Sequence, residues 1–329
     1  STANMTFHDV FRLYENAGFI YPEKKQALKP YLAEIEVTWN RLLSCSNDVF
    51  HYECSAKNGS QSSSICMAQY ADRTWLVQHA VGVHDPRGVL GNLVGIAQWV
   101  DSHPCCDFVR FLYRPTNKWP KFIFGSLMRK LPEECYEYQV YDYHTGTFAP
   151  GILLPTVNGA KIDYLSYHDF AEFERLLQGH HSDLDLDSKS LRESEMRLPA
   201  TADKYAAAGL IRERDVLVAT EGSEIVGYSL LDYSSLGINY SFLFNAFTVK
   251  MLRDDPALER DLVAASVNHY LARGRSTVVA LSGGGNESSF ERNGLKRRKQ
   301  YAELTIAKAG CFSVTVDHFG DYYRRVGGR

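Results

Sequence analysis

The chain spells one order of secondary structure twice, and that repetition narrows the folds open to it. In the first run, Ala27, Leu28, Tyr31, Leu32, Ile35, Trp39, Leu42 and Leu43 recur at helical spacing, which predicts one long amphipathic helix over residues 23–43, with Pro22 in its first turn. Three short aromatic and β-branched segments follow: DVFHYECSA, SSSICMAQY and TWLVQHAVGV. They read as an antiparallel meander whose first turn is Asn58-Gly59. Then come a helical pattern at Leu93, Ile96, Ala97 and Val100, a strand DFVRFLYR, a segment KWPKFIFGSLMRKL that is helical in its second half, and a strand YEYQVYDYH. Residues 145–160 carry Gly, Pro and Asn and few charges, which predicts a boundary between domains at residues 1–155 and 156–329. The second run repeats the order. KIDYLS is a strand, YHDFAEFERLLQG a helix, and DVLVATEGSEIVGYSLLDY a hairpin turning at Glu221-Gly222. YSFLFNAFTVKM is a strand, and DPALERDLVAASVNHYLARG a helix with Asp-Pro at its start and Gly274 past its end. STVVALSGG, ESSFERN and YAELTIAK close the unit as strand, short helix and strand. A repeat of this length is one domain type used twice, not a solenoid.

A chain of 329 residues with 45% apolar side chains has material for two cores. A net charge of −3 gives no global attraction to nucleic acid or an anionic membrane. The basic run Lys296, Arg297, Arg298, Lys299 reads as a solvated turn, not a nucleic-acid patch. The longest apolar stretch, residues 89–100, is too short and too interrupted to span a bilayer. The seven cysteines include no Cys-x-x-Cys and read as reduced thiols, which with the lack of a visible signal peptide predicts a cytoplasmic protein. The chain begins at Ser1 without a methionine, as a piece of a longer protein would. The acidic segment HHSDLDLDSKSLRESE lacks the glycine and terminal Glu of a calcium loop, so it reads as a solvated loop or helix start and no metal is expected. No Gly-x-Ser-x-Gly elbow, Walker loop or dinucleotide fingerprint occurs.

The stretch GVHDPRGVLGNL joins a strand to a helix, where unpaired backbone N–H groups and the positive end of the helix dipole favour an anion. It resembles the acyl-CoA pyrophosphate loop of the GNAT acyltransferases: Val83 at the strand end, Pro86, then Arg87, Gly88 and Gly91, one residue and one glycine short of that family's pattern. FERNGL, at residues 290–295, is similar to the family's late Tyr-Glu-Lys-Leu-Gly-Phe motif, which makes Gly294 a helix C-cap. The resemblance covers nearly the whole chain as an order of elements, with degenerate motifs in both copies. It implies an α/β protein of two tandem GNAT-like domains, each a mixed, mainly antiparallel sheet flanked by helices. It also implies acetyl-CoA or another acyl-CoA as co-substrate, held by Val83, His84, Arg87, Gly88, Val89, Leu90, Gly91, Asn92 and Asn117.

Two departures stand out. The family's general-acid Tyr is Phe290 here, and the second half's own loop, KMLRDDPALERD, has no glycine and offers Asp254, Asp255 and Glu259 to a phosphate. The donor is therefore expected in the first half. Acyl transfer needs a base for the amine, an oxyanion donor, and a proton for the leaving sulfur. His84 and Glu53 are the candidate bases, and Tyr113, Tyr136, Tyr138 and Tyr141 candidate acids. Cys66 and Cys106 show no paired base that would make either a nucleophile. Two functions stay open: acyl-CoA-dependent N-acyl transfer to a small-molecule or peptide amine, and a catalytically silent module that senses a ligand or mediates assembly. A cleft open between splayed strands at residues 88–92 favours the first; a cleft plugged by a side chain favours the second. The oligomeric state is not legible.

Overall fold

The structure is a computed structural model, and it describes residues 5–45, 48–57, 59–156, 161–284 and 287–327. The first half runs α1 (Phe7–Asn16), α2 (Pro22–Leu28), α3 (Leu32–Ser44), β1 (Phe50–Lys57), β2 (Ser60–Ala71), β3 (Thr74–Gly82), α4 (Pro86–Ser102), β4 (Phe108–Tyr113), α5 (Lys118–Met128) and β5 (Tyr136–Thr147). The second runs β6 (Lys161–Tyr164), α6 (Phe170–Gln178), α7 (Asp183–Ser188), α8 (Pro199–Ala207), β7 (Arg212–Glu221), β8 (Glu224–Ser234), β9 (Ala246–Met251), α9 (Pro256–Ala272), β10 (Thr277–Ser282), α10 (Glu287–Glu291), β11 (Lys296–Ala307) and α11 (Phe312–Gly327).

The mixed α/β reading holds, and so do the meander β1–β3 and the hairpin β7–β8, which turns through Gly222 at φ +61°. Asn58, half of the first predicted turn, lies outside the described residues. Several elements differ. The helix expected over residues 23–43 is broken into α2 and α3 by a 3₁₀ turn at Lys29–Tyr31, because Pro30 has no N–H to continue the ladder. The segment from Lys118 is helical from its start, capped by Asn117. In YSFLFNAFTVKM only β9 is a strand; a 3₁₀ turn, Leu243–Asn245, precedes it. The basic run is not a turn but the first part of β11, bulged between Arg297 and Lys299. β5 extends to Thr147, so the linker starts later than the composition suggests. Helices α1, α8 and α11 carry no prediction. Cys135 and Cys311 are joined as a disulfide across 6.1 Å of Cα separation, where reduced thiols were expected.

The eleven strands of the described residues form one sheet in the order β1-β2-β3-β4-β11-β5-β10-β9-β8-β7-β6. Each half gives one strand to the other. β11 sits between β4 and β5, and β5 sits between β11 and β10, so residues from both halves alternate at the centre. This exchange is why the sheet does not divide at residue 155. One face is covered by α4, α5 and the second half's α11 over the first half's strands, and by α9 and α10 over the second's. The other carries α1 and α3 over the first half and α6 and α7 over the second. A charged seam crosses that second face between them.

Within each half one pair of neighbouring strands is parallel. β3 pairs β4 from Thr74↔Phe108 to Val77↔Phe111, and β9 pairs β10 from Val279↔Ala246 to Leu281↔Thr248. Beyond those registers both pairs separate. On β3 a bulge sets His79 and Ala80 opposite a single residue of β2, and His79 takes φ +54° there.

Candidate functional site

Where β3 and β4 separate, a cavity of about 420 Å³ opens between them. Val77, Leu93, Phe111 and Phe124 line it from the α4–α5 side, and Phe19, Lys24, His79 and Tyr301 from the α1–α3 side. Its lining therefore comes from both faces of the sheet: it is a slot through the sheet. The walls are largely apolar, which suits an extended chain rather than a charged group.

The predicted donor residues divide. Val89 and Asn117 line the slot. Asn117 spends its side-chain carbonyl on the Trp119 N–H at the head of α5. Val83, His84, Arg87, Gly88, Leu90, Gly91 and Asn92 do not line it. Residues 86–92 are the first turns of α4; Pro86 has no N–H, and the amides from Val89 onward are drawn into the helix ladder. The Gly88 N–H is taken by the Asp85 carboxylate at 2.9 Å, and the Val89 N–H by the Asp85 carbonyl. Asp85 is ionised: hydrogen bonds from Ser62 first, then the Gly88 amide, lower its pKa. A carboxylate thus stands where the resemblance puts a phosphate.

The glycines follow from the same packing. A Cβ on Gly88 would lie 2.2 Å from the Asp85 carboxylate and 2.3 Å from Ser63 Oγ. One on Gly91 would lie 3.2 Å from the Tyr323 ring of α11. Gly88 admits the capping carboxylate, and Gly91 admits a helix. Arg87 is exposed, with its guanidinium 5.3 Å from the Tyr323 ring centroid. Asn92 is buried and holds Ser55 and Ser63.

The two candidate bases lie elsewhere. His84 is exposed at φ +49° beyond the end of β3. Glu53 is on β1, bonded to His51 at 2.8 Å and packed under Gly95. The histidine that does line the slot is His79. Burial, then the charge of Lys24, keeps it neutral, and its Nε2 accepts the Tyr240 N–H at 3.3 Å. It is held by packing and is not free to shuttle a proton.

Lys24 was not singled out from the sequence, where it sits in the polar run of α2. It lines the slot with Nζ 3.7 Å from the Phe19 ring centroid. Burial first, then the nearby Lys299 and Arg114 charges, bring its pKa down to about 7. By area Lys24 is half-buried, and the repulsion of Lys299 and Arg114 further disfavours its charged form. Tyr113, a predicted acid, also lines the slot, and burial raises its pKa, so its phenol keeps its proton. Tyr141 lies away from the slot, in the charged seam.

The second half's corner is built on the same plan. Asp255 caps α9 through the Leu258 N–H at 3.0 Å, and Arg253 pairs with Glu221. Phe290 is fully buried and stacked on His144, with ring centroids 4.4 Å apart. Gly294 takes φ +77° just past α10, as its C-cap reading requires.

No family model matches the chain, and no curated protein matches it. Among solved structures it is similar to a Drosophila protein at 11% identity and TM-score 0.49, over 92% of this chain and 97% of that one. It is similar to a GCN5-related N-acetyltransferase from Sphaerobacter thermophilus at 14% identity and TM-score 0.48, over 94% of each. A tandem GNAT protein from the clavulanic acid biosynthesis pathway is similar at 11% identity and TM-score 0.42, over 83% of this chain and 88% of that one. These likenesses run over most of the length of each chain compared.

Proposed function

We propose that this chain transfers an acyl group from an acyl thioester to an amine, with the thioester arm threaded through the β3–β4 slot. The slot carries the reading: it crosses the sheet, so a donor entering from the α4–α5 side presents its carbonyl to an acceptor on the α1–α3 side. Lys24 and Tyr113 both line it.

In this reading the neutral Lys24 amine takes the proton that the attacking amine loses. With a pKa of about 7, a large share of Lys24 is neutral at physiological pH. The new C–N bond forms as the C–S bond breaks, and Tyr113 gives its phenolic proton to the departing sulfur. His84 and Glu53 keep no direct part. The donor is an acyl-CoA, acetyl-CoA or longer. Its diphosphate meets Arg87 favourably and Asp85 unfavourably at the head of α4, so most of the binding energy comes from the apolar arm. The acceptor is a small molecule or peptide.

Turnover is the test: acyl-CoA and the matching acyl-N-acetylcysteamine thioester, each with a panel of amines. Amide product from both, with the phosphate-free thioester within about tenfold of acyl-CoA in KM, agrees with an arm-dominated site. Folded protein that neither binds nor turns over any thioester favours the silent module instead.

A further inference from the structure

A second cavity, of about 520 Å³, lies on the α1–α3 side of the sheet beside the β9–β10 separation, with walls from both halves. Its floor is a buried charged seam. Arg110 on β4 pairs with Glu303 on β11. Arg212 and Arg214 on β7 both pair with Asp232 on β8, at 3.1 and 2.8 Å. Lys189 pairs with Asp185 at 2.6 Å, and His181 bonds the same carboxylate.

The buried carboxylates are fully engaged. Asp232 has two arginines and the Tyr70 hydroxyl. Asp185 has Lys189 and His181, and Glu303 has Arg110. Arg110, Lys189, Arg212 and Arg214 face these three acids, and Glu137, a fourth acid of the wall, accepts from the Ser182 hydroxyl. Of the four cations Arg110 alone keeps unmet donors among the described residues. Arg110 is 5% exposed and lines the cavity, yet its Nε and Nη1 have no hydrogen-bond partner among the described residues. The Tyr70 ring lies 4.2 Å from the guanidinium carbon and covers one face without accepting those protons. A buried guanidinium with two unmet N–H groups is costly. Lys250 adds a further cation at the rim, donating to the His180 carbonyl at 3.1 Å. The rest of the wall is apolar, with Leu191, Leu230, Met251 and Leu281.

We propose that this cavity is a binding site for a small organic carboxylate, whose carboxylate meets Arg110 and whose apolar body lies against Leu230 and Leu281. The site is separate from the acyl slot, and it stands whether or not acyl transfer is the activity. A charge-assisted bond from one of these unmet N–H groups suits a carboxylate oxygen.

Benzoate and succinate are the probes, titrated calorimetrically and by ligand-observed NMR against wild-type protein, Arg110→Met and Thr248→Phe. Thr248 lines the cavity without joining an ion pair among the described residues, so its Phe variant fills the space and leaves the seam intact. Binding of at least one probe to wild type, weakened by about tenfold or more in both variants, is the expected result. If Arg110→Met fails to fold, Thr248→Phe decides. Absence of binding of either probe at tens of millimolar to folded wild type would overturn the proposal and leave the cavity to water. Binding that survives in Thr248→Phe would overturn it too, by placing the carboxylate elsewhere.

Discussion

In the first half, β3 runs on past its last pairing with β4 and ends at Asp85-Pro86, whose carboxylate caps α4; in the second, β9 runs past β10 and Asp255-Pro256 caps α9 in the same way. The corners match, but what surrounds them does not. Around β3 and β4 the side chains on both faces are mostly apolar or aromatic, with Lys24 among them, and the gap stays open through the sheet. Around β10 the helix side is closed by Phe247, Ala280, Phe290 and Leu295, all fully buried. The opening on its other side is lined by ion pairs. One backbone plan has given a slot for a chain in one half and a polar chamber in the other. The difference lies in side-chain chemistry at inward positions, not in topology.

The exchanged strands tie the halves together, so the largest predicted effect is on stability. Asp232→Ala leaves Arg212 and Arg214 buried and unpaired. It should cost roughly 3–5 kcal/mol, the usual penalty for breaking a buried pair from one side. Because β5 and β11 cross over, calorimetry should show one transition for both halves, shifted down as a unit. A variant in which the first half melts at its original temperature would break the account of a shared sheet. The same pair sets an acid limit. Against the desolvation of burial, Arg212 and Arg214 hold Asp232 at a pKa of about 2. A depressed folded pKa contributes stability that is complete above the unfolded carboxylate value near 4 and lost as pH falls toward 2.

Next in size is the effect on the proposed base, Lys24. Lys24→Met should lower kcat by about 10²–10³-fold and abolish a rise in rate centred near pH 7, the direction expected when the neutral amine is the active form. A variant that loses rate but keeps the pH profile would place Lys24 outside the chemistry.

The smallest effect sharpens the comparison of corners. Asp85→Asn keeps an N-cap but removes its charge. It should tighten acyl-CoA binding by about 0.3–1 kcal/mol, while Asp255→Asn leaves it unchanged. Phosphate-free thioesters should be indifferent to both changes, which calorimetric titration of the four combinations would show.

Much of this was legible in the sequence, and what was not has identifiable causes. The meander, the hairpin and the strand-to-helix corners follow from periodicity and turn residues, which are local signals. The strand exchange is not local: nothing in YEYQVYDYH or YAELTIAK says which half each will pair with. The break at Pro30 was written in the sequence, but the apolar spacing runs straight through it. Arg110 and Glu303 had a signal of their own, single charges at inward positions of FVRFLY and YAELTI, and such charges must be paired when the strand is central. Lys24 had none. It becomes unusual only through Phe19, Lys299 and Arg114, which lie beside it in the fold. Asp85 looked like part of a phosphate loop and is instead the cap of α4.

The most direct test of the central claim is thermal unfolding with excess acyl-CoA, run on wild type, Val89→Trp and Thr248→Phe. Val89→Trp fills the slot, at an overpacking cost of about 1–3 kcal/mol that the ligand-free scan measures separately. At about 100 times the dissociation constant, ligand should stabilise wild type and Thr248→Phe by roughly 2.7 kcal/mol and leave Val89→Trp unmoved. Stabilisation that survives in Val89→Trp and disappears in Thr248→Phe would put the donor in the second half and contradict the account.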